Sequence, residues 1–101
     1  MVLIRPRGEI YIPNALNPRA EDIANRYFTV YGDDIGHQVN SLGVYDRWGN
    51  LIYESNTMII NDTESGWDGS GFSTGTYAYL LSVTNPEGEE ETINGSITIV
   101  D

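Results

Sequence analysis

The chain has 101 residues, 40% hydrophobic and 20% charged, and its 15 acidic against 5 basic side chains leave a formal charge of −10. That length and apolar share predict one small domain with its own core and argue against wholesale disorder. No cysteine means no disulfide framework, thiolate metal site or cysteine nucleophile. The basic residues (Arg5, Arg7, Arg19, Arg26 and Arg47) are all arginine, which removes lysine Schiff-base chemistry, and so acidic a surface is repelled by nucleic-acid phosphates. No stretch approaches the roughly 18 apolar residues of a membrane-spanning helix, so no membrane insertion is expected.

Met1 leads directly into strand-like sequence with no signal-peptide h-region, so the chain reads as a domain taken from a longer protein. Residues 1–8 are an extension or linker remnant and residues 9–101 the domain. A first strand over residues 9–12 stops at Pro13. Residues 18–27 hold the one helical candidate, with Pro18 at a first helical position ahead of Ala20, Ile23 and Ala24, and room for one or two turns. Residues 27–31 alternate aromatic and β-branched side chains until Gly32-Asp33-Asp34 breaks them. Strands over 39–47 and 51–54 flank Trp48-Gly49-Asn50, a tight hairpin in which Gly49 can take a positive φ. A short apolar run follows at 57–60. Residues 76–84 form the clearest strand, with Tyr77, Tyr79, Leu81 and Val83 on one face and Ala78, Leu80 and Ser82 on the other. After the turn Asn85-Pro86-Glu87-Gly88, residues 91–100 return with Ile93, Ile97 and Ile99. About seven strands at spacings of roughly 8–12 residues, with no crossover helices, predict an all-β antiparallel sandwich.

Catalytic constellations are sparse. His37, the one histidine, lies in a polar loop and without cysteines supplies neither a zinc site nor a general base. No Gly-x-Ser-x-Gly occurs. A glycosidase carboxylate pair is a matter of spatial separation, and a filled sandwich of this size leaves little room for a cleft. Asn61-Asp62-Thr63 and Asn94-Gly95-Ser96 match the glycosylation pattern, which is frequent by chance. The chain therefore reads as no enzyme. Asp62, Glu64 and Asp68, near Gly66 and Gly69, are weak calcium candidates, because oxygen-rich loops can wrap that ion although this spacing matches no known loop. Glu21-Asp22 with Asn25, and Asp33-Asp34, are weaker still. No cofactor is otherwise expected. Glu89-Glu90-Glu91 reads as a solvated run that discourages edge pairing. Trp48 and Trp67, each beside glycine, are expected to fold their rings over the sandwich end as structural locks. Tyr77 and Tyr79 after Gly75 suggest a tyrosine corner. A carbohydrate platform would instead need these rings exposed and coplanar.

Five segments in order carry a family resemblance. They are Ile10-Tyr11-Ile12-Pro13-Asn14-Ala15-Leu16, then the stretch from Val44 to Glu54 containing Arg47-Trp48-Gly49, then Gly66-Trp67-Asp68-Gly69, Gly75-Thr76-Tyr77-Ala78-Tyr79-Leu80 and Gly95-Ser96-Ile97-Thr98-Ile99-Val100. Together they resemble the gliding-motility-associated C-terminal domain of Bacteroidetes, the type B sorting domain of the type IX secretion system. The resemblance implies an immunoglobulin-like sandwich at the C-terminus of large secreted or surface proteins, read as an address by outer-membrane components of the secretion machinery after passage through the periplasm. As an isolated domain it would be monomeric. The family's usual Phe-Thr-Pro-Asn-Gly-Asp-Gly-type segment is replaced at residues 16–26, which lack the paired glycines and keep only Asn17, Pro18, Asp22 and Asn25 of its character. The loop over 69–75 is also short and lacks the customary proline. Recognition would use Arg47 and Trp48, residue types enriched at hot spots, or an edge strand over residues 96–100. The alternatives are a generic immunoglobulin-like module, such as a surface adhesin repeat, and a carbohydrate- or calcium-binding accessory domain. Tandem recurrence, glycan binding or calcium-dependent melting would distinguish them.

Overall fold

The computed structural model of the protein describes residues 10–32 and 37–100. The apolar alternation of residues 76–84 becomes a strand, β6 (Gly75–Thr84), with Tyr79, Leu81 and Val83 buried and Ala78 and Leu80 on the opposite, solvent face. Successive side chains of a strand point to opposite faces, so this pattern gains one dry and one wet side as a strand. On the two sides of β6 lie β7 (Glu90–Ile99) and β4 (Gln38–Tyr45), and outside these are β2 (Ala15–Leu16) and β5 (Leu51–Ser55). The five-stranded order is β2-β7-β6-β4-β5. A two-stranded sheet pairs β1 (Ile10–Tyr11) with β3 (Tyr31–Gly32). Two 3₁₀ turns, Ile23–Arg26 and Thr63–Ser65, complete the regular structure of the described residues, none of which is α-helical. The fold is all-β, as expected, with seven strands in two sheets.

Leu42, Val44, Tyr79, Leu81, Val83, Ile97 and Ile99 supply the inner face of the large sheet. Phe28, Val30, Met58, Ile60 and Trp67 cover it, with Ile10 and Ile12 packed at the margin. Each such burial contributes roughly 1.5–3 kcal/mol relative to exposure. This second layer is held less by ladders than by side chains. Residues 57–60, expected as a strand, send Met58 and Ile60 inward without pairing. The Ile59 N–H bonds Ser65 Oγ at 2.8 Å, a local side-chain substitute for a ladder partner. Residues 27–31 likewise yield only β3 and one bridge, in which Phe28 and Trp67 exchange backbone hydrogen bonds of 2.6 and 3.1 Å. The helical candidate over 18–27 shrinks to the turn Ile23–Arg26, capped where the Ala24 N–H donates to Asp22 Oδ1.

One pair departs from the antiparallel expectation. β2 runs parallel to β7, Ala15 opposite Thr98 and Leu16 opposite Ile99. The N–H groups of Thr98 and Val100 donate to the Asn14 and Leu16 carbonyls at 3.0 and 2.9 Å. Residues 98–100 are therefore not the free edge that the sequence suggested, because the opening segment of the domain covers them. The start of the first strand at Glu9, the extension with Arg5 and Arg7, the Asp33-Asp34 pair and Asp101 lie outside the described residues.

Candidate functional site

Two hairpin loops have the same construction. In Asp46-Arg47-Trp48-Gly49-Asn50, between β4 and β5, Asp46 Oδ1 accepts the N–H groups of Trp48 and Asn50, both at 2.9 Å. The Asp46 N–H donates to the Asn50 carbonyl, and the Gly49 N–H to the Asp46 carbonyl. In Asn85-Pro86-Glu87-Gly88-Glu89, between β6 and β7, Asn85 makes the same four bonds with Glu87, Gly88 and Glu89. Gly49 and Gly88 sit at φ 84° and 85°, the left-handed region where glycine carries no Cβ penalty. The first and fourth residues thus set the loop, and the second and third are free of that duty. In one loop they are Pro86 and Glu87; in the other, Arg47 and Trp48.

That comparison isolates a surface feature. Trp48 is 76% exposed, so it does not fold back over the sandwich as expected. The Arg47 guanidinium carbon lies 5.3 Å from its ring centroid, within cation–π range. Beside the pair opens a cleft of about 410 Å³, walled by Ile52, Phe72, Ser73 and Tyr77. The Asn50 N–H, first among several donors, holds the Asp46 carboxyl below its ordinary pKa; the Asn50 amide, the Trp48 N–H and the Arg47 charge act in the same direction. The tip is thus an ordered loop displaying one cation and one large aromatic.

The other motif residues lie in the packed part of the domain or shape its turns. Trp67 is 3% exposed and meets Tyr53, Phe72 and Tyr77 at centroid distances of 5.7, 6.0 and 6.0 Å. A Cβ at Gly66 would stand 2.1 Å from Thr29 Oγ1 and 2.2 Å from the Phe28 carbonyl oxygen, so only glycine fits before Trp67. Asp68 Oδ1 accepts the N–H and hydroxyl of Ser70, shaping the turn at Gly69. The Tyr77 hydroxyl donates to the Ser73 carbonyl at 2.6 Å, the tyrosine-corner bond anticipated from the sequence. Tyr79 is buried against Phe28 and lies under Gly95, whose Cβ would fall 2.8 Å from the Tyr79 hydroxyl. Burial raises its phenol pKa. Pro13 and Asn14 end the paired stretch of β2 on β7.

The acidic candidates do not converge. Among the described residues no group of three or more His, Asp or Glu side chains is placed to hold a metal ion, so Asp62, Glu64 and Asp68 form no common cage. In the second acidic loop, Arg26 donates to the carbonyls of Ala20 and Glu21, while the Arg19 N–H donates to Asn17 Oδ1. The Arg26 anchor and the shared construction of the two hairpin loops were missed by sequence reasoning, although the common Asx-x-x-Gly spacing would have revealed the latter. His37 borders an open hollow with Met58 and Ile59.

The molecule is thus a small β-sandwich whose buried motif residues lock its core and whose hairpin tip exposes Arg47 and Trp48. The family model of the CHU_C type IX secretion signal domain matches residues 10–99, and the chain belongs to that family. It is a secretion signal domain, as the resemblance implied. No curated relative and no solved structure matches the chain.

Proposed function

We propose that the domain is a non-catalytic C-terminal address that directs a larger protein through the type IX machinery of a Bacteroidetes bacterium to the cell surface or medium. The family match over residues 10–99 carries this reading. The recognition patch is the hairpin tip of Arg47 and Trp48, facing outer-membrane components of the machinery. Its support is the twin loop, which keeps the same backbone with no aromatic or cation at those positions. Arginine and tryptophan are the residue types that dominate binding hot spots. No cofactor enters this reading.

The decisive experiment fuses residues 1–101 to the C-terminus of a periplasm-directed fluorescent protein in a gliding Bacteroidetes host. Surface or medium fluorescence is expected, and a folded fusion retained in the periplasm overturns the reading. In the same assay Arg47→Ala/Trp48→Ala is expected to abolish export while leaving the melting temperature unchanged. Export at the parent level would remove the tip from the recognition surface.

A further inference from the structure

The two edges of the five-stranded sheet are treated differently. β5 is five residues long, and its pairing with β4 is interrupted by a bulge between Val44 and Tyr45. Short, bulged edges are protected against further pairing. β7 has ten residues, pairs with β6 at all ten, and contains no lysine, proline or register break. On its other side only Thr98 and Ile99 have partners in β2. Among the described residues the cover stops there: the Asn14 and Leu16 carbonyls take the Thr98 and Val100 N–H groups, and nothing before Asn14 continues the pairing toward Ser96.

The orientation of the remaining groups follows from the ladder. The Thr98 N–H points to β2 and the Glu89 carbonyl accepts from Asn85, so odd-numbered residues of β7 face β6 and even-numbered ones face outward. Glu90, Thr92, Asn94 and Ser96 therefore present four N–H and four C=O groups along about 20 Å of edge. Among the described residues nothing pairs with them. Thr92, Asn94 and Ser96 are small and polar, so neither bulk nor charge obstructs an incoming backbone at the centre. Charge is concentrated at one end, in Glu89, Glu90 and Glu91.

We propose that the β7 edge from Glu90 to Ser96 receives an extended basic segment of a partner protein by strand addition, with lysine or arginine side chains facing the Glu89–Glu91 end. Backbone pairing supplies the register and the acidic end supplies the choice of partner. A second copy of this chain is disfavoured as occupant, because each carries a formal charge of −10 and would bring its own acidic run to the contact. The proposal rests on the sorting reading only for the identity of the partner, which would be a component of the export machinery.

The test uses the 101-residue chain and amide hydrogen exchange by NMR, with the peptide Lys-Thr-Lys-Val-Lys-Thr-Lys as probe and its Glu-for-Lys counterpart as control. The expected result is exchange slowed about tenfold or more at Thr92, Asn94 and Ser96 by the basic peptide alone. Ile93 and Gly95, already bonded to β6, should not change. Asn94→Pro removes an outward N–H without touching the β6 ladder and should abolish the protection. Glu89→Lys/Glu90→Lys, which leaves the backbone intact, should transfer it to the acidic peptide. Unchanged exchange at the three amides, equal protection by both peptides, or protection that appears with protein concentration alone overturns the proposal. Export of the fluorescent fusion separates the two readings. If the fusion is exported but the three amides never respond, only the edge proposal falls; if they respond but the fusion stays in the periplasm, the edge stands and the sorting reading falls.

Discussion

Trp48 and Trp67 both stand beside glycine, and at the scale of single residues they have opposite roles. Trp67 is enclosed by three aromatic rings, so Trp67→Ala is expected to lower stability by about 3–5 kcal/mol in urea unfolding. Trp48→Ala should stay within about 0.5 kcal/mol of the parent, since the ring covers little of the core. Equal losses in the two variants would contradict this division. Gly66→Ala should cost about 3 kcal/mol or more in the same measurement, because backbone as well as side chain blocks the added methyl. That both tryptophans occur at turns was legible in the sequence. Which one turns inward was not, because the difference lies in rings contributed by Tyr53, Phe72 and Tyr77.

At the scale of elements, the two Asx-capped hairpins form a built-in control for pH. Asp46 has its pKa depressed in the folded loop, so its contribution is complete above its unfolded value of about 3.9 and is lost as pH falls through the lower folded value. Asn85, in the equivalent position, gains no proton. Acidification below about pH 4 should therefore shift and loosen the Trp48 and Asn50 amides, while the Glu87 and Glu89 amides keep their bonds to Asn85. NMR titration of the four amides checks this, and parallel behaviour of both loops would sink it. Most strand positions were readable from alternation and turn residues. Residues 57–60 were not, because Ser65 Oγ takes the Ile59 N–H that a ladder would have used.

At the scale of the whole molecule, a formal charge of −10 on so small a domain opposes compaction, and salt screens that repulsion. The melting temperature should accordingly rise between low ionic strength and about 0.15 M sodium chloride; a fall would show that exposed ion pairs outweigh the net charge. Calcium should add nothing beyond its ionic strength, and calorimetry with calcium against chelator at matched ionic strength tests this. A calcium-specific rise would restore the acidic loops as a site. The same acidic excess makes the arginine at the hairpin tip conspicuous and gives the long edge of β7 its preference for a basic partner.

By itself the sequence determined the all-β class, the faces of β6 and β7, the hairpin turns and the motifs that carry the family resemblance. These follow from local periodicity and from the backbone demands of Gly, Pro, Asp and Asn, which act over a few residues. The tertiary structure alone decided that β2 joins β7 in parallel, that the edge left open among the described residues is Glu90 to Ser96 rather than residues 96–100, and that Trp48 faces solvent while Trp67 is enclosed. Each depends on groups far apart in the chain meeting at one place. Alternation tells which face of a strand is buried, but it carries no information about which backbone lies alongside.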